Sequence, residues 1–395
     1  MTISTLTFQT NALAEMEALQ SALTKTQAEL STGSRLPNAA ADPAAMAQVN
    51  QLNVTLSASQ QYVSNGSAAA AGLQLEQSAL TSATNTLQSA RDLAVEANNS
   101  ALSRADRQDI ATQLTQLQQA LLGAANATDS AGNYLFAGTA SGSQPFVQGG
   151  GSVGYQGASQ VNQVQIGADQ SVSAGDAGDS VFMNIPAGNG TFTTGAAAAN
   201  TGSGSIDTGS VVSPSAWVPD TYAISFTTPT QYQVTNSAGA VVGSGTYTSG
   251  SAIAFSGVQV TVSGAPTAGD TFTVAPAGKA SVFSTLGNLI ATLNSGSLTS
   301  GQLTTQIGGA LRQIDSALSG FANVQASVGG RLNAITTAGN AAHSDQTQLK
   351  GTISQLSDTD YAAAVTQLST QELALQAAQE SYASIAKLSL FNYIA

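Results

Sequence analysis

Apolar side chains recur at seven-residue spacing at both ends of the chain, and this pattern governs what the chain can fold into. Near the start, Leu6 and Leu13 are seven apart, as are Met16, Leu23 and Leu30, with a three-residue step from Leu13 to Met16. Near the end, Val365, Leu368, Leu375 and Tyr382 carry the same seven- and three-residue steps, with Ile385 and Leu388 beyond. An apolar seam of this spacing on a remainder of Gln, Thr, Ser and Glu marks a coiled-coil helix. The economical topology therefore packs the two ends of the chain on each other.

The segment between Ser34 and Ala47, SRLPNAAADPAAMA, reads as a bend. Gly33 stops the first helix. Pro43 restarts a helix, because its fixed φ suits a first helical position, and Asp42 before it caps the free amides. That second helix runs to about Asn98, with Val49, Leu52, Leu56, Leu73, Leu80, Leu87, Leu93 and Val95 as its apolar stripe. At 1.5 Å per residue it would be about 80 Å long, and such a rod needs a partner along it. A further helix carries Ile110, Leu114, Leu117, Leu121 and Leu122, capped by Ser103 or Asp106. Asp129 to Gly132 reads as a turn and Tyr134 to Phe136 as a short strand.

From Val147 to about Gly278 the texture changes to Gly, Ser and Thr, with short alternating runs such as YAISF, VQVTV and TFTV. This is an inserted β domain. Within it, Ala187 to Gly209 is low in complexity and reads as a mobile loop. Helices resume near Ser281 to Leu293 and again from Gln302, the second extending through Leu349, Ile353 and Leu356. The predicted class is α+β: a long-helix bundle with paired N- and C-terminal coiled-coil helices and an inserted β domain. The predicted division is 1–42 and 358–395 for the terminal coiled coil, 43–146 and 280–357 for the helical bundle with a short β-hairpin, and 147–279 for the β domain.

Composition narrows the function. Only 8% of the 395 residues are charged, against about a quarter in an ordinary globular chain. Weakly charged polar surfaces suit close packing of many copies, since few charges must be desolvated at each contact. The net charge is −12 and the ten Lys and Arg form no basic run. Nucleic acid and anionic membrane are therefore not expected as partners. The absence of Cys removes thiolate metal sites and disulfides. The first residues have neither a basic n-region nor a long apolar h-region, so export, where it occurs, would use no cleaved signal.

Catalytic constellations are weak. The one histidine, His343, has Asp345 two residues on, and side chains two apart on a helix do not face each other. Asp169, Asp176 and Asp179 lie in a Gly-rich region and read as turn-forming residues, without the twelve-residue spacing of an EF-hand. Gly202-Ser203-Gly204 precedes no helix with a nucleotide fingerprint. Asn53, Asn65, Asn98, Asn126 and Asn189 begin Asn-x-Ser/Thr triplets, which are chance matches in so Asn-, Ser- and Thr-rich a chain. No catalytic, cofactor-binding or metal site is predicted. Arg35 is the one charge that stands out. It either ties the bend to an acid or carbonyl of a neighbouring subunit or is an exposed loop arginine.

The stretch Leu30 to Ala47, LSTGSRLPNAAADPAAMA, resembles the N-terminal turn of the bacterial flagellin superfamily. Asp129 to Phe146, DSAGNYLFAGTASGSQPF, and Tyr361 to Ile394, with its closing LSLFNYI, are similar to the branch that joins hook to filament. The β insert matches only in style, and Ala41 stands where the family often has a second Asp. The resemblance implies a non-enzymatic structural adaptor, exported through the flagellar secretion channel, whose termini fold into a coiled coil inside the tube wall with the β domain outside. It implies as partners further copies in a ring-like oligomer, the hook-side junction protein, flagellin, an export chaperone and the secretion apparatus, with no cofactor. The assembly interface would comprise Leu6, Leu13, Met16, Leu23, Leu30, Arg35, Asp42, Val365, Leu368, Leu375, Tyr382, Leu388, Leu390 and Phe391. The alternatives are a filament flagellin and, from another class, a secreted adhesin or hydrolase on a helical stalk.

Overall fold

A computed structural model of the chain describes the backbone of residues 2–38, 40 and 42–394, and the side chains of 7–38, 40 and 42–384. In chain order the elements are α1 (Thr2–Thr32), α2 (Pro43–Ala97), α3 (Arg104–Ala125), β1 (Phe146–Gly149), β2 (Ser152–Tyr155), β3 (Gln163–Gly167), β4 (Gln170–Ser173), β5 (Ile185–Pro186), β6 (Phe192–Ala196), β7 (Ser205–Ile206), β8 (Ser210–Val211), β9 (Tyr222–Thr228), β10 (Gln231–Thr235), β11 (Val241–Thr246), β12 (Ala252–Phe255), β13 (Val258–Ser263), β14 (Thr271–Pro276), β15 (Lys279–Ala280), α4 (Val282–Asn294), α5 (Ser300–Ser357) and α6 (Tyr361–Ile394). Packing divides them into one unit of Met1–Ser64 with Ala338–Ala395 and a second of Asn65–Thr337, and α2 and α5 contribute to both.

In the first unit α1 packs along α6. A small apolar cluster of Leu36, Ala45 and Val49, flanked by Met46, Ile353 and Leu356, closes around the bend.

The second unit holds the deep core. The most deeply buried positions of α2 there follow three- and four-residue steps: Leu73, Glu76, Leu80, Ala83, Leu87, Ala90, Ala94 and Ala97 are all nearly fully buried. This is the narrow stripe of a helix that packs side by side with others. Val95, counted in the stripe by sequence, points outward. α3 begins with a reciprocal cap in which Ser103 accepts from the Asp106 N–H and Asp106 accepts from the Ser103 N–H, so both residues proposed as the cap take part. Phe136, Phe146, Phe182, Phe283 and Phe321 are fully buried. Phe182 touches the other four, with ring centroids 5.1 to 6.0 Å apart and mostly edge-to-face, an arrangement that adds to simple area burial.

Strand alternation builds the β domain. Tyr222, Ile224 and Phe226 of β9, Val258, Val260 and Val262 of β13, and Phe272 and Val274 of β14 all face one core. A five-stranded antiparallel sheet runs β11-β10-β9-β14-β6, and a second sheet joins β12, β13 and β7, with β8 also paired to β13. The β12–β13 hairpin turns through Ser256 and Gly257 at φ 45° and 79°, the positive values that a two-residue turn between twisted strands demands.

Two further local expectations differ from the structure. Tyr134 to Phe136 forms no strand, only an isolated bridge between Tyr134 and Thr128. The Tyr134 and Leu135 amides reach Ser141 and Ala127, so the segment folds as consecutive turns around the buried Phe136. Ala187 to Gly209 is not a free loop. β6 pairs with β14 across its whole length, Phe192 is fully buried, and Asn200 exchanges two hydrogen bonds with Thr271. Low complexity concealed these two anchors.

Replacing Phe182 by Ala should lower the stability of the second unit by about 3–5 kcal/mol, because a fully buried ring leaves a cavity shared by four others. Val241→Ala on the exposed face of β11 should stay within about 0.5 kcal/mol. Urea denaturation followed by near-ultraviolet circular dichroism reads both.

Candidate assembly interface

One row of covered positions on α1 steps through Gln9, Ala12, Met16, Leu19, Leu23, Thr26 and Leu30, with Ala22, Ala28 and Glu29 beside it, and one on α6 through Ala364, Leu368, Gln371, Leu375, Ala378 and Tyr382, with Ala374 beside it. Both series alternate three and four residues, the periodicity of a two-helix seam. The Thr359 N–H donates to the Gly33 carbonyl at 3.0 Å and the Thr359 hydroxyl to the Glu29 carbonyl at 3.2 Å. The end of α1 thus lies beside the start of α6, and the two helices run antiparallel.

Most of this seam is half-buried; among the described residues only Thr26 and Ala364 are buried. Met16, Leu23, Leu30, Leu368, Leu375 and Tyr382 lie on the seam, as their spacing predicted. Leu13 and Val365 do not. They are 46% and 51% exposed and face outward, because the seam uses Ala12 and Ala364 one position earlier. Phe8 and Leu373 also present apolar surface outward. The side chains of Leu6, Ile385, Leu388, Leu390 and Phe391 lie outside the described residues. The sequence reading missed Leu19, although it completes the alternation between Met16 and Leu23.

The bend is tied to the turn before α6. Gly33 sits at φ 68° and closes α1 with its N–H on the Glu29 carbonyl, 2.9 Å. Ser34 bridges Asp358, and the Arg35 N–H donates to the Ser357 carbonyl at 2.7 Å. The Arg35 guanidinium donates to the Leu356 carbonyl at 2.9 Å, so it ties the bend to its own chain. Asp42 caps α2 by accepting the Ala45 N–H at 3.0 Å, as expected. Ala41 lies outside the described residues. Opposite the bend, the Ser354 and Ser357 hydroxyls hold the Asp358 carboxyl below the usual carboxylate range.

The remaining candidate chemistry does not converge. His343 and Asp345 are exposed positions of α5. Asp179 is taken by the Ser159 hydroxyl and the Ser180 N–H, and Asp176 by Arg331. Among the described residues no group of three or more His, Asp or Glu side chains is placed to hold a metal ion, and no helix is long and apolar enough to cross a membrane.

Gly33→Val should cost at least about 1–2 kcal/mol at the bend, since it adds a left-handed strain and brings a Cβ to 3.0 Å from the Tyr361 hydroxyl. Arg35→Ala should cost about 1 kcal/mol or less, as expected for one exposed hydrogen bond. Amide exchange of residues 33–36 and 357–359 checks both.

With this geometry in place, the similarities of the chain fall in order. The model of the bacterial flagellin N-terminal helical region matches residues 3–141, and that of the C-terminal helical region matches 311–394. The D2-like domain of flagellar hook-associated protein 1 matches 196–276, inside the β domain, which the sequence reading had found similar in style alone. Flagellar hook-associated protein 3 of Escherichia coli (strain K12) is 34% identical over 157 residues, 40% of this chain. That match covers 49% of the relative, so the chain spans about half the length of the curated protein it matches. FlgL of Xanthomonas campestris, a solved structure, is 36% identical with a TM-score of 0.72, covering 77% of this chain and 99% of that one. The hook-associated protein-3 structure from Legionella pneumophila is 33% identical with a TM-score of 0.74, covering 78% and 98%. Helical ends of the flagellin type, joined to a fold shared along nearly the full length of those two structures, place this chain in the flagellar hook-associated protein 3 (FlgL) family.

Proposed function

We propose that this chain is a structural adaptor of the bacterial flagellum that joins hook to filament by packing its terminal helices against neighbouring subunits. The observation that carries this reading is the α1–α6 pair. Its own seam is only half-covered, and its outer face carries Phe8, Leu13, Val365 and Leu373 in a chain with few charges to repel a neighbour. Apolar side chains left outward on a two-helix pair gain by burial against further helices. Copies of the chain would form a ring-like oligomer, with the hook-side junction protein on one side and flagellin on the other. Before assembly the chain would meet an export chaperone and the flagellar secretion apparatus. In this division of labour the terminal coiled coil makes the contacts, the helical bundle sets the spacing, and the inserted β domain is displayed outward.

A filament flagellin is the second reading, favoured by the flagellin models that match both ends. Immunogold labelling of intact flagella with antibody to the β domain separates the two. A single cluster where hook meets filament supports the adaptor, and label along the filament supports flagellin.

Two substitutions test the interface. Leu375→Asp places a charge in the α1–α6 seam, and Leu13→Asp places one on the outer face. Both should abolish incorporation and swimming, while only Leu375→Asp should loosen the free chain. Normal motility with either would count against the corresponding surface. In the free chain, amides of α1 and α6 should exchange much faster than those of the second unit, because a lone pair of helices with a half-covered seam is marginal.

A further inference from the structure

Two charged residues occupy positions that helical periodicity assigns to the core. On α2 the buried stripe steps from Leu73 to Glu76 to Leu80, and Glu76 is only 1% exposed. On α5 the stripe steps from Val328 to Arg331 to Ile335. The segment that leaves β4 runs between them. Arg331 forms an ion pair with Asp176 and donates from Nη1 to the carbonyls of Gly175 at 3.0 Å and Ser173 at 3.3 Å. Asp176 in turn presents its carboxyl and its backbone N–H to Glu76. Gly175 runs so close that a Cβ there would lie 3.5 Å from Glu76 Oε2. Glu76 Oε1 and Arg331 Nε are buried without a partner.

Charge counting makes this arrangement informative. Two carboxyl groups share one guanidinium, and Asp176 holds it. An ionised Glu76 would be a buried charge beside a like charge, with its best counter-ion already engaged, which is among the costliest arrangements in a protein interior. A neutral carboxyl has no such cost and can donate to Asp176.

We propose that Glu76 is stored as a neutral carboxylic acid that latches residues 173–176, and with them the β3–β4 hairpin, onto α2 and α5, and that its ionisation in alkaline surroundings releases this latch. The groups facing Glu76 are Asp176 from the segment after β4 and Arg331 from α5. Burial first, then the Asp176 carboxylate, pushes Glu76 up to about 9, with Arg331 pulling the other way. The folded-state value lies above the unfolded one, so the folded chain keeps a proton that the unfolded chain has released. Stability from this group is complete below about pH 4.5 and is lost as pH rises to about 9. Burial also pushes the Tyr155 phenol up from 10, outside this window. Away from the latch, the hairpin is held by the buried Ile166 and by Asn65 Nδ2 donating to the Gln165 carbonyl at 3.2 Å. Release should therefore be local.

The test compares the full chain with Glu76→Gln, which keeps the shape and cannot ionise. Urea unfolding from pH 6 to 9 should give a wild-type unfolding constant that rises by up to about tenfold per pH unit and a much flatter profile for Glu76→Gln. Hydrogen exchange of residues 163–176, corrected for the intrinsic pH dependence, should lose protection near pH 9 in the wild type only. Equal slopes for the two chains, or unchanged protection of 163–176 to pH 10, would overturn the proposal. Infrared spectroscopy of the wild type alone gives a check that needs no variant: a carboxylic-acid band must persist at pH 7 and vanish by pH 10, and its absence at pH 7 sinks the idea.

Discussion

The narrow apolar stripe with alternating three- and four-residue steps is the constraint on which the rest of this structure depends. A helix that carries such a stripe and little else apolar has one way to bury it, against another helix lying nearly parallel. In the second unit the demand is fully met: Leu73, Leu80 and Leu87 of α2 are fully buried, as are Ile307, Ile314 and Phe321 of α5. In the first unit it is met by halves, since most described positions of the seam between α1 and α6 are only half-buried. The same pattern that completes one unit leaves the other with surface to offer, and the functional reading follows from that difference.

How much was legible in the sequence follows from how local each signal is. Gly33, Asp42 and Pro43 announce a helix end and a helix start through backbone chemistry that needs no partner, and the structure shows all three acting so. The strands of the β domain were readable because alternation is local and both sheets bury one face. Leu13 and Val365 were misplaced because a seam is chosen by the partner helix. A leucine beside the seam and a leucine on it have the same seven-residue neighbours, and only the facing surface separates Ala12 from Leu13. The anchors within 187–209 escaped because Phe192 and Asn200 act across more than seventy residues, on Pro276 and Thr271. Glu76 did leave a signal, since it interrupts the stripe from Leu73 to Leu80. Its significance depends on Asp176 and Arg331, which only the fold brings to it.

Sparse charge has a structural consequence beyond solubility. With so few ions available, many long-range ties in this protein are neutral hydrogen bonds from side-chain amides, alongside charged ties such as Arg91–Asp315 and Arg331–Asp176. Gln118 Nε2 donates to the Phe283 carbonyl at 2.9 Å, Asn126 bonds both polar groups of the Phe146 backbone, and Gln313 Nε2 reaches the Pro186 carbonyl at 3.1 Å. Such bonds contribute about 1 kcal/mol each, but leaving one of these buried groups unpaired would cost more. They therefore act chiefly as specifiers, penalising every packing that leaves them unmatched.

The start of α5 shows this logic joining two kinds of architecture. Thr299 and Gln302 cap each other's amides at the start of the helix. Gln302 nonetheless turns its side-chain amide into the β domain, donating to the carbonyls of Ala197 at 2.9 Å and Ala198 at 3.1 Å. One turn later Thr305 accepts the Ile206 N–H at 3.1 Å. Gly301 lies so close to Gly204 that a Cβ would fall 2.1 Å from its carbonyl oxygen. A helix and a sheet that touch backbone to backbone, with their polar groups satisfied across the contact, cannot rotate independently without breaking several buried hydrogen bonds at once.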